Sequence, residues 1–426
     1  MTIVSKKLMH DNEDEFRNIL GGFLQFQREY DNISLNFVAD SLSLNKGYLS
    51  EVENGKRNLS EKHYDKIMDF YDINFNFDKS ILEEVRVELI KVYELFIDLN
   101  PSEHDAILRL IQKKERYENS YGFFVLQLAM LFYNIRCAGD EKEILFLKAL
   151  IKKYLHLFSD EEKVMYYDLI YQYYFNKNEF NKARYYILSA IEACPNRTRT
   201  IGLYAITLYH LVRILQCTNN SAQTLELCKK TMNEFREQHI YNRLYYIDIL
   251  EGNCLSRMHL YEDAERTYLS VLEHTSLLEN RSLTITVYQN LSWNSLKKGN
   301  YLDCIKYSKK IIEIGEGTDE IFVYIPYCLY KLDKKIECLE KIQEIKDKLK
   351  SEYYLLFINI IKFRITGDDY EFINSCESFL KICAMREEYE TELLVRDIQI
   401  EYYEEKKDFK NLSIVQGRVI TILYGK

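Results

Sequence analysis

Two sets of polar side chains have residue types and spacing that suit binding chemistry. In 45–57, Lys46, Lys56 and Arg57 are cations of the kind that contact phosphate oxygens, with amide and hydroxyl side chains between them. Between residues 168 and 297, amides and two further cations, Arg257 and Lys297, recur at long intervals. Amides donate and accept hydrogen bonds, and cations hold carboxylates. Both sets therefore indicate binding.

The sequence contains no recognisable arrangement for catalysis. The eight His form no HExxH motif, and the ten Cys form no CxxC pair or Cys/His cluster at zinc spacing. Only 14 Gly and 3 Pro occur in 426 residues, and no GxGxxG or GxxxxGKS/T loop is present to hold a nucleotide. We therefore expect no enzyme activity, no cofactor and no metal, with the cysteines as free thiols. The shortage of turn formers excludes an all-β fold and predicts an all-α protein.

The overall charge and hydropathy limit the partners. The net charge of −9 means that any contact with nucleic acid must be local. The N-terminus has no apolar core of signal-peptide length, and no run of 18 apolar residues occurs. We expect a cytoplasmic protein with no membrane partner.

The first 75 residues predict four short helices that position the first polar set. Ser34, Asn45 and Ser60 are suitable N-caps for the second, third and fourth helices. Only 43–45 separates the second helix from the third, which is helix-turn-helix geometry, and Ala39 is small enough for the crossing point of these helices. The four helices are expected at about 14–29, 35–42, 45–54 and 61–70.

These residues resemble the λ-repressor-like (Xre-type) DNA-binding domain. The resemblance is carried by VADSL at 38–42, LN at 44–45 and YLSEVENGKR at 48–57, and the last is the most specific. It implies that Glu53 ends the recognition helix, that Gly55 is its left-handed C-cap and that the two following cations reach backbone phosphates. The residues expected to face DNA are Asn45, Lys46, Tyr48, Ser50, Glu51, Asn54, Lys56 and Arg57.

The stretch also departs from the family pattern. Leu35 stands where the family has a DNA-contacting Gln, Ser43 replaces the turn Gly, and Glu51 replaces a basic or polar residue. Residues 1–75 hold nine Lys and Arg against thirteen Asp and Glu. A degenerate domain that now mediates dimerisation therefore remains an alternative to DNA binding.

The segment 164–195 resembles the 34-residue tetratricopeptide repeat. Ala183 and Ala190 supply two of the small residues that let the paired helices approach closely, whereas Tyr171 occupies a third small position and predicts looser packing there. The residues that match the pattern are Tyr167, Ile170, Tyr171, Tyr174, Phe180, Ala183, Ile187, Ala190 and Pro195.

The repeat signature recurs towards the C-terminus. Strong copies lie around Gly252 to Tyr268 and Tyr288 to Ile311, and weaker copies extend to Val419. We expect about six to eight repeats in a right-handed solenoid with a concave inner face. The expected domains are 1–75, a helix-turn-helix domain; 76–160, a helical linker with degenerate repeats; and 161–426, a repeat solenoid.

A DNA-binding domain of this type joined to such a solenoid resembles the Rgg/Rap/NprR/PlcR/PrgX (RRNPP) regulators of Gram-positive bacteria. That resemblance implies a short signalling peptide bound in the solenoid. In tetratricopeptide repeats the first helix of each pair lines the groove, where amides suit a peptide backbone, Arg257 or Lys297 suits a carboxylate and Trp293 suits an apolar anchor. The expected peptide-binding residues are Asp168, Gln172, Asn176, Tyr246, Asn253, Arg257, Gln289, Trp293 and Lys297.

The leading hypothesis is therefore a transcription regulator that binds a double-stranded DNA operator as a homodimer. A quorum-sensing peptide would control it, and sporulation or virulence genes would be its targets. The alternative, from another class, is a solenoid adaptor that sequesters or inhibits a response regulator or another protein partner through residues 80–160 and keeps only a vestigial DNA-binding domain. A phosphatase acting on phospho-aspartate would need a positioned Gln or acid that the sequence does not identify.

Overall fold

The chain is helical throughout its described part. The computed structural model describes residues 3–195, 198–217, 221–278, 280–386 and 389–424. Within these ranges there are 23 α-helices, α1 to α23, and no strand beyond one bridge between Asn76 and Ser120. None of the described helices combines the length and the apolar sequence that a membrane span requires. The predicted all-α class is confirmed.

The chain divides into two compact units, residues 1–250 and 251–426. This division follows packing and does not coincide with the predicted boundaries at 75 and 160, which stay a prediction about function. The first unit begins with the expected four helices, although the first starts at residue 3 rather than 14 because the added residues contain neither Gly nor Pro. The four helices are α1 Ile3–Tyr30, α2 Leu35–Ser41, α3 Lys46–Glu53 and α4 Glu61–Tyr71.

Side-chain caps and left-handed residues fix the turn between α2 and α3. The side chain of Ser34 accepts from the Phe37 amide, and that of Asn45 accepts from two amides at the start of α3, so both predicted N-caps are confirmed. Ser43 has φ +52° where the family has Gly, so this turn keeps the left-handed conformation at a cost in strain. Gly55 has φ +65° and ends α3 as expected.

Five further helices follow α4, and those that contain Arg86 and Phe123 contact α1. Phe23 of α1 lies edge-on to Phe123, with ring centroids 5.2 Å apart, and Arg86 forms an ion pair of 2.7 Å with Glu15. A side chain at Gly22 would collide with Leu157. The helix-turn-helix segment therefore shares its core with these helices. They are α5 Ser80–Ile97, α6 Glu103–Gln112, α7 Lys114–Tyr117, α8 Phe123–Tyr133 and α9 Glu141–Lys153, followed by a 3-10 turn at Leu155–Leu157.

From residue 160 the described helices form seven consecutive pairs, which agrees with the expected six to eight repeats. The first three pairs are α10 Asp160–Asn176 with α11 Phe180–Ala193, α12 Leu203–Cys217 with α13 Ser221–Glu237, and α14 Leu244–Arg257 with α15 Tyr261–Leu278. The next two are α16 Arg281–Lys298 with α17 Tyr301–Glu313, and α18 Asp319–Lys331 with α19 Lys335–Ile345. The last two are α20 Glu352–Thr366 with α21 Asp369–Arg386, and α22 Tyr389–Lys406 with α23 Phe409–Tyr424.

Small residues act within these pairs as the repeat pattern predicts, with one exception. A side chain at Gly252 would overlap the ring of Tyr268, and Ala183 and Ala190 are wholly buried. Tyr171, however, does not loosen its repeat. Its ring is fully buried and stacks on His210 of the next pair at 4.5 Å, so the expectation of looser packing is wrong.

Candidate functional site

Helix α3 and the loop after it bring the predicted DNA-binding residues together on one exposed surface. Six of these eight residues are exposed, and the other two, Tyr48 and Ser50, are half-buried. Asn54 lies against the same helix, because its amide donates to the Ser50 carbonyl at 2.7 Å. The exposed members are Asn45, Lys46, Glu51, Asn54, Lys56 and Arg57.

The phenol of Tyr48 organises the loop that carries the two cations. The backbone N–H of Ser60 donates to its hydroxyl at 2.9 Å, and the guanidinium of Arg57 lies over its ring, 4.9 Å from the centroid. Ser60 occupies the N-cap position of α4, but its side chain makes no capping hydrogen bond, so that expected cap is incorrect. Arg57 also pairs with Glu51 at 3.3 Å, and both side chains are exposed. Solvent weakens such a pair, which leaves Arg57 available to a phosphate.

Glu53, which the resemblance places at the end of the recognition helix, does not belong to the exposed surface of α3. Its side chain is only 4% exposed and forms a two-pronged ion pair with Arg28 of α1, with both N–O distances 2.8 Å. The hydrogen bond to Glu53 raises the pKa of Arg28. Helix α3 is therefore tied to α1, and the Glu53 carboxylate is absent from the exposed surface of α3.

The peptide-facing set divides between the two compact units. In the first unit, the carboxylate of Asp168 is wholly buried and accepts hydrogen bonds from Tyr93 at 2.6 Å and Gln172 at 2.9 Å. Its other oxygen lies 2.5 Å from Nδ1 of His210. Direct contact of Asp168 with a ligand is therefore not supported, because α5 and α12 already enclose it. Its carboxylate instead holds the side-chain amide of Gln172 in place.

Burial and hydrogen bonds set the charges in this network. Burial opposes ionisation of Asp168, but its contacts with His210, Tyr93 and Gln172 outweigh burial and hold the pKa of Asp168 below its usual value. Burial lowers the pKa of His210, and Asp168 only partly compensates. At neutral pH the network therefore consists of an ionised Asp168 and three neutral donors.

The other first-unit members differ in exposure. Gln172 is 8% exposed, Asn176 is exposed at the end of α10, and Tyr246 is half-buried in α14. Only Asn176 and Tyr246 thus present substantial polar surface in this conformation.

In the second unit, Gln289, Trp293 and Lys297 are half-buried and share one face of α16, since they are four residues apart. The Trp293 ring stacks on Tyr324 at 5.5 Å, and Nζ of Lys297 lies 5.3 Å from the Trp293 ring centroid. The same ammonium pairs with Glu390 at 2.7 Å. An amide, an aromatic surface and a cation therefore lie in line, as a peptide and its carboxylate would require.

Asn253 is half-buried in α14, and its Oδ1 accepts from the hydroxyl of Tyr268 at 2.6 Å. That contact fixes the orientation of the amide and directs its remaining N–H groups elsewhere. Arg257 is exposed at the end of the same helix.

Three structurally important residues escaped the sequence analysis. Gly21 lies where α1 crosses α3, and a side chain there would collide with the Val52 carbonyl oxygen. Arg28 holds Glu53. Arg243 is buried and donates to the carbonyls of Phe96 and Ile97, each at 2.7 Å, where α5 ends. The pair Gly21-Gly22 inside an apolar helix pattern could have indicated a close helix crossing. Nothing in the local sequence indicates the partners of Arg28 or Arg243.

Comparison with solved structures identifies the fold. The apo form of the quorum sensor NprR from B. thuringiensis aligns with a TM-score of 0.66 at 15% identity, covering 80% of this chain and 99% of that chain. NprR in complex with its cognate peptide NprX aligns with a TM-score of 0.55 at 15% identity, over 78% and 99% of the chains. A Rap protein complexed with Competence and Sporulation Factor gives 0.61 at 17% identity, over 80% and 98%.

These similarities establish a shared helical-repeat fold, and the fold expected from the RRNPP resemblance is confirmed. Comparisons with protein-family models and with curated proteins gave no match.

Proposed function

We propose that the protein is a DNA-binding transcription regulator controlled by a short peptide bound to its repeat helices. The observation that carries the DNA-binding part is the exposed surface of α3, where capped and oriented polar groups adjoin Lys46, Lys56 and Arg57. The removal of Glu53 from that surface by Arg28 strengthens the case. A two-fold dimer would place two such helices about 34 Å apart, so the operator is an inverted repeat.

The DNA test uses fragments selected from a random pool and a matched pair of double variants. Lys56→Ala/Arg57→Ala should weaken binding at all sequences and flatten the log–log salt dependence by about two units, because each lost phosphate contact removes about one. The control, Lys142→Ala/Lys152→Ala, removes equal charge from exposed positions of α9. Equal affinities for the two double variants would eliminate the DNA proposal. Sedimentation with operator should detect a dimer of the 51.1 kDa chain.

The peptide-binding part rests on the line of Gln289, Trp293 and Lys297, on the oriented amide of Asn253, and on the NprX complex of a protein with this fold. Peptide binding would shift the equilibrium between two arrangements of the repeats, and a coupling of about 1–3 kcal/mol would change operator occupancy about 5- to 150-fold.

The peptide test distinguishes the hydrogen-bond donor of the Asn253 amide from its acceptor. Asn253→Asp keeps the acceptor for Tyr268 and removes the donor, so binding of a culture-derived peptide should weaken by about 1–3 kcal/mol. Tyr268→Phe removes only the internal hydrogen bond that orients the amide and should weaken binding less than Asn253→Asp does. Calorimetry that gives equal affinities for wild type and Asn253→Asp would refute this use of Asn253.

A second candidate function is sequestration of a response regulator by α5 to α9. One observation favours it: Leu145 and Phe146 are neighbours on α9 and are 47% and 43% exposed. Leu145→Ser/Phe146→Ser should then abolish response-regulator capture and leave operator binding intact.

A further inference from the structure

Three repeats of the second unit carry a cation at the same place in their first helices. Lys297, Lys331 and Arg364 are 34 and 33 residues apart, which is the repeat length, and each lies in the last turn of α16, α18 or α20. The helix dipole favours a cation at such a position. It does not explain why all three meet the same partner. We call these three residues the cation row.

The partner is the first helix of the last repeat, α22. Lys297 pairs with Glu390 and Lys331 with Asp397, both at 2.7 Å, and further pairs join Lys331 to Glu401 and Arg364 to Glu405. The last three of these acids lie 7, 11 and 15 residues after Glu390, so the four acids follow one face of the helix. This acidic stripe consists of Glu390, Asp397, Glu401 and Glu405.

Phenol groups complete the carboxylate sites on α18. The hydroxyl of Tyr327 donates to Asp397 at 3.2 Å, and that of Tyr330 donates to Glu401 at 2.6 Å. Each of these two carboxylates therefore receives a charged and a neutral donor, which is the arrangement that proteins use to hold carboxylates of a ligand.

Exposure differs between the two sides of these pairs. The side chains of the cation row are 22%, 13% and 17% exposed, whereas those of the acidic stripe are 51%, 47%, 37% and 63% exposed. The cations thus form the floor of the site, and the carboxylates approach from the solvent side. Ion pairs with one exposed partner are individually weak, so another set of carboxylates can replace them.

We propose that the cation row is a binding site for an acidic peptide and that α22 occupies it as an internal, displaceable ligand. The proposal rests on the proposed function, since it gives the chemical class of the controlling peptide. A peptide with carboxylates spaced along its length replaces the acidic stripe on the cation row. Displacement of the acidic stripe then couples peptide binding to a change in the last repeats.

The first measurement is hydrogen exchange of α22 in the full chain. Glu390→Gln/Asp397→Asn/Glu401→Gln, the neutral-stripe variant, should raise exchange in α22 by about 10-fold because three weak pairs are lost together. Exchange in α20 should stay at its wild-type rate. If the triple variant does not fold, Glu390→Gln alone is measured instead, and it should raise hydrogen exchange in α22 by about 2- to 5-fold. Unchanged exchange in α22 would contradict the proposal.

The second measurement uses a defined probe, the synthetic peptide of residues 389–406 with blocked ends. It should bind the neutral-stripe variant at least about 10-fold more tightly than the wild type, and less tightly as salt rises. The same peptide with Gln or Asn at the four positions of the acidic stripe should bind neither protein. Lys331→Met in the neutral-stripe background should weaken binding by about 5-fold. Faster exchange without binding of the acidic probe would make α22 a packing element only and overturn the proposal.

Failure here is distinguishable from failure of the proposed function. These measurements need neither operator nor culture-derived peptide. If the probe binds but no culture-derived peptide does, the cation row stands and the peptide-controlled regulator is wrong. If a culture-derived peptide binds equally to wild type and Lys331→Met, the regulator stands and the cation row is wrong.

Discussion

At the scale of single residues, the ion pair between Arg28 and Glu53 helps to hold α3 on α1. Arg28→Met should lower the free energy of unfolding by about 3 kcal/mol, because it leaves a buried carboxylate without a partner. Arg28→Met/Glu53→Met should recover most of that loss, because both charges are then gone. Denaturant titration of the two variants tests this, with the exposed Arg57→Met as a control that changes stability little. A single variant as stable as wild type would contradict it.

The buried network around Asp168 makes stability depend on pH. His210 has a pKa lowered below 6.5, so the unfolded chain binds more protons, and stability is lost as pH falls from about 6.5 through the folded pKa. Asp168 has a pKa lowered below 3.8, so its contribution is present above that value and is lost as pH falls further. Both effects act in the same direction, towards unfolding in acid.

Thermal unfolding between pH 7 and pH 5 measures the first effect. His210→Gln can still donate to Asp168 but does not titrate, so its melting temperature should vary less with pH than that of the wild type. Arg213 and Arg243 also lower the pKa of His210. The control is His239→Gln, which changes only an exposed ring, and the pH dependence should persist in it. Equal pH dependence in His210→Gln and wild type would exclude the network as its source.

Residue-level predictions succeeded where the interaction is local. The caps at Ser34 and Asn45 and the left-handed Gly55 depend on neighbours within a few residues. The burial of Asp168 and Glu53 depends on partners far along the chain, Tyr93, His210 and Arg28, and no local pattern indicates them. Ser60 does not cap α4, because its hydroxyl oxygen accepts a hydrogen bond from the distant Tyr48 at 3.3 Å instead of from an amide of the helix.

At the scale of elements, glycine has opposite roles in two helices. Gly252 faces the ring of Tyr268, so Gly252→Ala should lower stability by about 1–3 kcal/mol through overpacking in α14. A methyl group added at Gly417 in α23 would meet no neighbouring element within 4 Å, so Gly417→Ala should raise stability by about 0.5–1 kcal/mol. Thermal denaturation of the pair gives the test, and equal signs for the two changes would contradict it.

The helix pairs from α10 to α23 were predictable because their 34-residue period repeats one packing problem many times. Tyr171 was misjudged for the same reason. The pattern of a single repeat indicates that a ring as large as that of Tyr171 does not fit between the two helices of one pair. It does not reveal that this ring packs against His210 of the next pair. Likewise, the pairing of Lys297 with Glu390 joins helices three repeats apart, beyond any single-repeat pattern.

At the scale of the whole molecule, the predicted boundary at residue 75 cuts through a shared core. The fragment 1–75 would expose the face of α1 that Phe123 and Leu157 cover, so it should lack cooperative unfolding on heating. The fragment 1–250, a complete compact unit, should unfold cooperatively. Circular dichroism on heating compares the two. A cooperative transition in 1–75 would indicate an independent domain after all.

The sequence predicted the short helices around α3 better than it predicted the packing units. Motif resemblance identified the segment around α3, because the residues of a recognition surface lie close together in the chain. It did not reveal that α1 belongs equally to two segments, because Phe23 and Gly22 look like ordinary core and linker residues until α8 and the 155–157 turn are placed against them.

The contact of α1 with Phe123 and Leu157 also has a consequence for synthesis of the protein on the ribosome. The recognition helix leaves the ribosome early, but the segment that completes its core ends near residue 158. At about 5–20 residues per second, translation from residue 75 to residue 158 takes about 4 to 17 seconds. During that interval Phe23 and Gly22 lack their contacts with Phe123 and Leu157, so the nascent chain exposes an aromatic surface to chaperones before α1 and α3 are held rigidly.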